Sequence, residues 1–191
     1  MIKNEIKKNL PHVKIEPNDL YIHIRSGDVF NPKYEGNYAQ PPLCFYQNII
    51  NNFEFKNIYI IAENKNNPVI DEILKEFPKV IYQQNSFSLD IAYLSNAYNL
   101  VASVSSFLLV VVKFNDNLIK YFEYDIYVNS EKILHLHHDF YYFPIKFTIY
   151  KMKPSIEYKN EMFRFSNKKE QYKLMIDEKC IYNFTEIKPN I

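Results

Sequence analysis

The six residues His23-Ile-Arg25-Ser-Gly-Asp28 hold an imidazole, a guanidinium, a hydroxyl and a carboxylate at the end of one apolar segment. A guanidinium stays charged and its planar fork matches phosphate oxygens, so an arginine beside a tight turn suits an anionic ligand. Three further groups could serve the same ligand: Glu63-Asn64, Asp90 and the pair Ser105-Ser106. Serines at a helix start offer hydroxyls together with the unpaired amides of the first turn, an anion-binding geometry. The turn itself is marked by glycine. The chain has 2 glycines, where an average share of about 7% would supply roughly a dozen. Both, Gly27 and Gly36, fall in the loop after the segment, where backbone must turn sharply or approach a ligand closely.

These groups need strands that end together. Leu20, Ile22 and Ile24 alternate with Tyr21, His23 and Arg25 at period two, the pattern of a strand leading into the motif. Pro41-Pro42 predicts a helix start followed by Leu43 to Phe53. Asn57 to Ala62 has the continuous apolar character of a buried parallel strand, with Glu63-Asn64 at its carboxyl end. Pro68 to Phe77 carries Val69, Ile70, Ile73, Leu74 and Phe77 at helical spacing. Val80 to Tyr82 reads as a third strand. Ser88 is placed to cap a helix from Leu89 to Ala97, with Asp90 in its first turn. Leu100 to Ser103 is a fourth strand, Ser105-Ser106 opens a helix through Phe114, and Leu118 to Tyr124 is a fifth strand. This alternation predicts an α/β fold: a Rossmann-like doubly wound parallel sheet, helices on both faces, with a ligand crevice at the carboxyl ends of the strands. The organisation expected is an N-terminal arm over 1–18, a Rossmann-like domain over 19–130, and a C-terminal tail over 131–191 that packs on the domain and includes a helix from Lys168 to Asp177.

Composition narrows the partners. With 23 basic and 22 acidic residues the net charge is +1, so there is no global basic field for a nucleic acid and any anion site is local. The chain of 191 residues is long enough for one full core and short for two. Cys44 and Cys180 follow no metal or redox spacing, which predicts free thiols in a reducing compartment. The charged N-terminus lacks the apolar core of a signal peptide. The longest apolar run, Phe107 to Val112, is far below the ~20 residues of a membrane span. A soluble, cytoplasmic protein is expected. Neither G-x-G-x-x-G nor a Gly-rich Lys-Ser/Thr loop is present, so phosphate would be held by Arg25, serine hydroxyls and helix amides.

Three blocks together resemble the α1,2-, α1,6- and protein O-fucosyltransferase superfamily. His23-Ile-Arg25-Ser-Gly-Asp28 is similar to its His-x-Arg-x-Gly/Thr-Asp motif. Ile58-Tyr-Ile-Ile-Ala-Glu-Asn64 resembles its second block, a strand ending in two acids. The stretch from Asp90 through Ser105-Ser106-Phe107 resembles its third, and order and spacing agree across residues 20–115. In that superfamily the region is the C-terminal donor domain of a GT-B glycosyltransferase that binds GDP-fucose without a metal. The resemblance implies that His23 and Asp90 meet the guanine, that Arg25 and Ser106 hold the β-phosphate, that Ser105 supports them, and that Glu63 and Asn64 belong to the donor site. It implies inverting transfer of fucose to a glycan hydroxyl, with Arg25 stabilising the leaving diphosphate. Glu35, near where some relatives carry a catalytic Glu, is the candidate general base; Asp28 is the other nearby carboxylate, of a type common in turns. Ser26 stands where many members have a second arginine, and Asn64 where a second acid is usual. Only 19 residues precede the first strand, where the superfamily has an acceptor domain, so a second chain or a homodimer supplying an acceptor half is expected. The rival reading is a non-catalytic nucleotide-sugar-binding module or partner subunit.

Other constellations have plainer explanations. His135, His137 and Asp139 would share one face of a strand, as metal ligands do, but a polar edge strand or loop accounts for the cluster with His138. Phe140 to Phe143 suits a core or an interface as well as a sugar. Asn183-Phe-Thr185 is a glycosylation sequon with meaning only in a secreted chain. Helix capping explains Asp90, Ser105 and Ser106 singly, but not their joint alignment with His23 and Arg25.

Overall fold

Leu20, Ile22 and Ile24 turn to one side of their strand and Tyr21 and His23 to the other, and helices bury both sides. The computed structural model describes residues 8–30, 39–126, 146–164, 168–181 and 183–189. Its elements are β1 (Leu20–His23), α1 (Leu43–Asn52), β2 (Ile58–Ile61), α2 (Pro68–Glu76), β3 (Val80–Gln83), α3 (Phe87–Leu94), β4 (Asn99–Ala102), α4 (Ser106–Phe114), β5 (Lys120–Tyr124), β6 (Thr148–Met152), α5 (Ile156–Arg164), α6 (Lys168–Asp177) and β7 (Thr185–Ile187). A 3-10 turn over Gly27–Phe30 follows β1.

Among the described residues the strands form one seven-stranded sheet in the order β3-β2-β1-β4-β5-β6-β7. All pairs are parallel except β6 with β7. The chain winds outward from β1 to β3, then returns to lay β4 on the other side of β1, with Leu20 opposite both Ile58 and Asn99. This is the doubly wound Rossmann-like order, and its reversal point lies between β1 and β4.

Each face has its own core. On the first, Leu20, Ile22, Ile60, Val101 and Phe122 meet Phe45 and Ile49 of α1, Val69 and Ile73 of α2, and Tyr158 and Met175 of the two C-terminal helices. On the second, Tyr21, Ile61, Leu100 and Tyr121 meet Leu94 of α3 and Leu108, Val111 and Val112 of α4. Burying each such side chain contributes about 1.5–3 kcal/mol, so both layers hold the strand ends in place.

Three expectations are corrected. Helix α3 starts at Phe87 with Ser86 as its N-cap residue; the Ser86 carbonyl already accepts from the amides of Leu89 and Asp90 at 3.0 Å, which leaves Ser88 inside the first turn. The segment expected as a tail also adds to the sheet: from residue 146 on, β6 pairs in parallel with β5, while α5 and α6 pack on the first face. Lys151 hides this strand in the sequence. A lysine within a strand suggests an exposed segment, yet its Nζ lies 2.9 Å from Glu123 and 3.6 Å from Asp125, which neutralise it. Finally, Cys44 and Cys180 are not free thiols. They form a disulfide, with Cα atoms 5.5 Å apart, because α6 packs beside α1 and brings two residues 136 positions apart in sequence within reach. The premise for a reducing compartment goes with them. No helix among the described residues is long and apolar enough to cross a membrane.

Candidate functional site

Because β1, β2 and β4 run parallel, His23, Glu63-Asn64 and Ser103 all emerge at one edge of the sheet. The reversal point between β1 and β4 is closed by one hydroxyl. Ser103, buried in the loop after β4, shares a 2.7 Å hydrogen bond between its Oγ and His23 Nδ1. The same Oγ accepts from the Arg25 backbone N–H at 3.1 Å. Ser103 therefore fixes the imidazole and the backbone of the arginine together.

His23 sits on the second face, its ring 5.7 Å from Phe107 of α4. Burial, followed by the nearby Arg25 charge, holds its pKa down to about 3. The ring is neutral at neutral pH, with one protonated and one unprotonated nitrogen. Arg25 directs its Nη2 toward Asp28 Oδ2 at 3.4 Å, and the Asp28 side chain is exposed.

The turn after Arg25 is locked from β2. Asn64 Oδ1 accepts from Ser26 Oγ at 2.6 Å, from the Gly27 amide at 3.1 Å and from the Asn66 amide at 2.9 Å. Fully buried Asn67 donates from Nδ2 to the Arg25 carbonyl at 2.9 Å, and its Oδ1 caps α2 by accepting from the Val69 amide at 3.1 Å. Ser26 Oγ accepts from the Asn67 amide at 3.0 Å. Gly27 has φ of +70°, in the left-handed region where a Cβ is unfavourable. The Glu63 carboxylate lies against it, in the space a Cβ would enter. Asn64 thus serves the loop that carries Arg25, and Glu63 packs over the same turn.

Ser105 is the N-cap residue of α4, with extended backbone and no side-chain cap bond; Ser106 is the first residue of that helix and is exposed. Asp90 lies in the first turn of α3, which also starts at the carboxyl edge. It accepts from Asn85 Nδ2 at 3.1 Å, and burial raises its pKa while this bond works the other way. A row of rings joins the two helices to β1: His23 to Phe107 at 5.7 Å, and Phe107 to Phe87 at 5.3 Å. Phe87 is 69% exposed. Glu35 lies outside the described residues, as do His135, His137, His138, Asp139 and the run Phe140 to Phe143.

The structure brings His23 and Arg25 together through Ser103, and Arg25 and Asn64 together through Ser26 and Gly27. It sets Asp90 one turn from Phe87, at the far end of the aromatic row. Ser103, Asn67 and the exposed Phe87 are the residues that sequence reasoning missed. Asn67-Pro68 carried a signal, an N-cap asparagine before a first-turn proline. Ser103 carried none beyond its place at a strand end. Among the described residues no group of three or more His, Cys, Asp or Glu side chains is arranged to hold a metal ion.

Comparison of the chain with protein-family models, with curated proteins and with solved structures gives no match.

Proposed function

We propose that the carboxyl edge of the sheet binds the nucleoside diphosphate of a sugar donor, with GDP-fucose as the donor, and that the protein transfers the sugar to a glycan hydroxyl with inversion and without a metal. The observation that carries this reading is the double hydrogen bond of Ser103 to His23 and to the backbone of Arg25 at the β1–β4 reversal point, where doubly wound sheets bind their ligands. In this reading the Arg25 guanidinium faces the β-phosphate, and the first-turn amides and hydroxyl of Ser106 in α4 share that charge. Neutral His23, whose Nδ1 is held by Ser103, offers its Nε2 to the guanine edge, and the Asp90 carboxylate offers an acceptor. Exposed Phe87, next to Phe107, offers a flat apolar face for a base. During transfer the acceptor hydroxyl attacks the anomeric carbon and GDP departs; Arg25 stabilises the charge that grows on the leaving diphosphate. A carboxylate takes the hydroxyl proton, and Glu35 is the residue assigned that role.

The test is turnover of GDP-fucose in the presence of a chelator and a panel of glycans, with the product's anomeric configuration read by nuclear magnetic resonance. Transfer with inversion supports the enzyme reading. Tight donor binding without hydrolysis or transfer would replace it with a non-catalytic nucleotide-sugar-binding module that acts beside a second chain.

A further inference from the structure

Two features at the C-terminal end of the fold belong to the same chemical environment, and the donor site uses neither. The first is the Cys44–Cys180 disulfide; such bonds persist in oxidising compartments and are rare where thiol reductants dominate. The second, three residues on, is Asn183-Phe184-Thr185, an acceptor pattern for N-linked glycans. Asn183 and Thr185 are exposed and Phe184 is partly buried. The Phe184 ring lies 5.9 Å from those of Phe53 and Phe122. The middle residue of the sequon therefore anchors in the first core while the two residues that define it face solvent.

The location suits a bulky hydrophilic group. Thr185 begins β7, which pairs with β6 through Lys151 and ends the sheet. The outer edge of a terminal strand presents unpaired backbone groups to any other strand, and a covering group there blocks such pairing.

We infer that Asn183 is an N-glycosylation site and that the chain matures in an oxidising secretory compartment, where the Cys44–Cys180 bond forms. In the modification, Asn183 Nδ2 forms a bond to the anomeric carbon of an oligosaccharide carried on a polyprenyl diphosphate. The bond from that carbon to the phosphate oxygen breaks, the polyprenyl diphosphate leaves with the electron pair, and Nδ2 loses one proton. The glycan then stands at the start of β7, on the same carboxyl edge as the candidate site but three strands across the sheet from β4.

The experiment is mass mapping of the full chain isolated from the cells that make it, digested without reductant, before and after treatment with peptide N-glycosidase. The expected result is a peptide spanning Asn183 that appears at its enzyme-released mass only after treatment, together with a linked Cys44–Cys180 peptide pair. Asn183→Gln abolishes the glycan and Thr185→Ser keeps it, both with unchanged thermal unfolding of the deglycosylated protein. An unmodified peptide at this position in folded protein would overturn the glycan assignment. Alkylation of Cys44 and Cys180 without reductant would overturn the compartment as well, and return the chain to a reducing space such as the cytoplasm.

Discussion

The Ser103 hydroxyl and the His23 imidazole, 80 residues apart, meet at 2.7 Å across the point where the sheet reverses its winding. Ser103→Ala leaves both the His23 nitrogen and the Arg25 amide without this partner in a part-buried site. An unsatisfied buried polar group costs about 1–3 kcal/mol. Urea unfolding is expected to show a loss of that size, and the variant is expected to bind GDP more weakly because the arginine backbone is no longer held.

Acid should weaken the fold through His23. Its pKa falls from an ordinary value of 6.5 to about 3 in the folded state, so between those values the unfolded chain binds more protons. Stability from this group is fully present above about 6.5 and drains away as pH falls toward 3. Asp90 acts with the opposite sign: its raised pKa favours the fold in acid and is lost as pH climbs through its folded value. Thermal unfolding of His23→Gln across the acid range should show a flatter pH dependence than the native chain. An unchanged slope would remove His23 as the titrating group.

Gly27→Ala places a Cβ at φ of +70° and against the Glu63 carboxylate. The left-handed backbone alone costs roughly 1–2 kcal/mol. Adding Glu63→Ala relieves the collision but leaves the backbone term, so the double variant should recover only part of the lost melting temperature. Full recovery would mean that the backbone tolerates alanine.

Reduction should loosen the fold. Removing a native disulfide typically costs about 2–5 kcal/mol, and Cys44→Ser with Cys180→Ser is expected to lower stability within that range while making it insensitive to dithiothreitol. Equal unfolding midpoints with and without reductant in the native chain would contradict this.

The sheet was legible because its first five strands are short apolar runs bounded by turn residues, and their alternation with helices leaves one topology in favour. The sixth strand was not, since Lys151 looks like a surface residue until Glu123 and Asp125 are beside it. The site was legible where the chemistry is local: Arg25 follows His23 by two positions, and Gly27 marks the turn. It was illegible where the partner comes from elsewhere. Nothing near Ser103 says that its hydroxyl will meet His23, and nothing between Cys44 and Cys180 says that α6 will close beside α1. Asn64 shows a third case. It is found at the expected strand end, but its carbonyl is occupied by Ser26, Gly27 and Asn66, so its position was readable and its partners were not.

The central claim, a nucleoside diphosphate held by Arg25 at the β1–β4 reversal point, is tested most directly by calorimetric titration of GDP and UDP, with and without Mg²⁺, into the native chain and Arg25→Ala. A charged hydrogen bond to phosphate is worth about 1.5–3 kcal/mol, so the variant should bind GDP roughly tenfold or more weakly. The account predicts GDP binding that exceeds UDP binding, does not require Mg²⁺, and weakens by that factor in Arg25→Ala. No GDP binding by the folded native chain, or equal binding by native chain and variant, would contradict it.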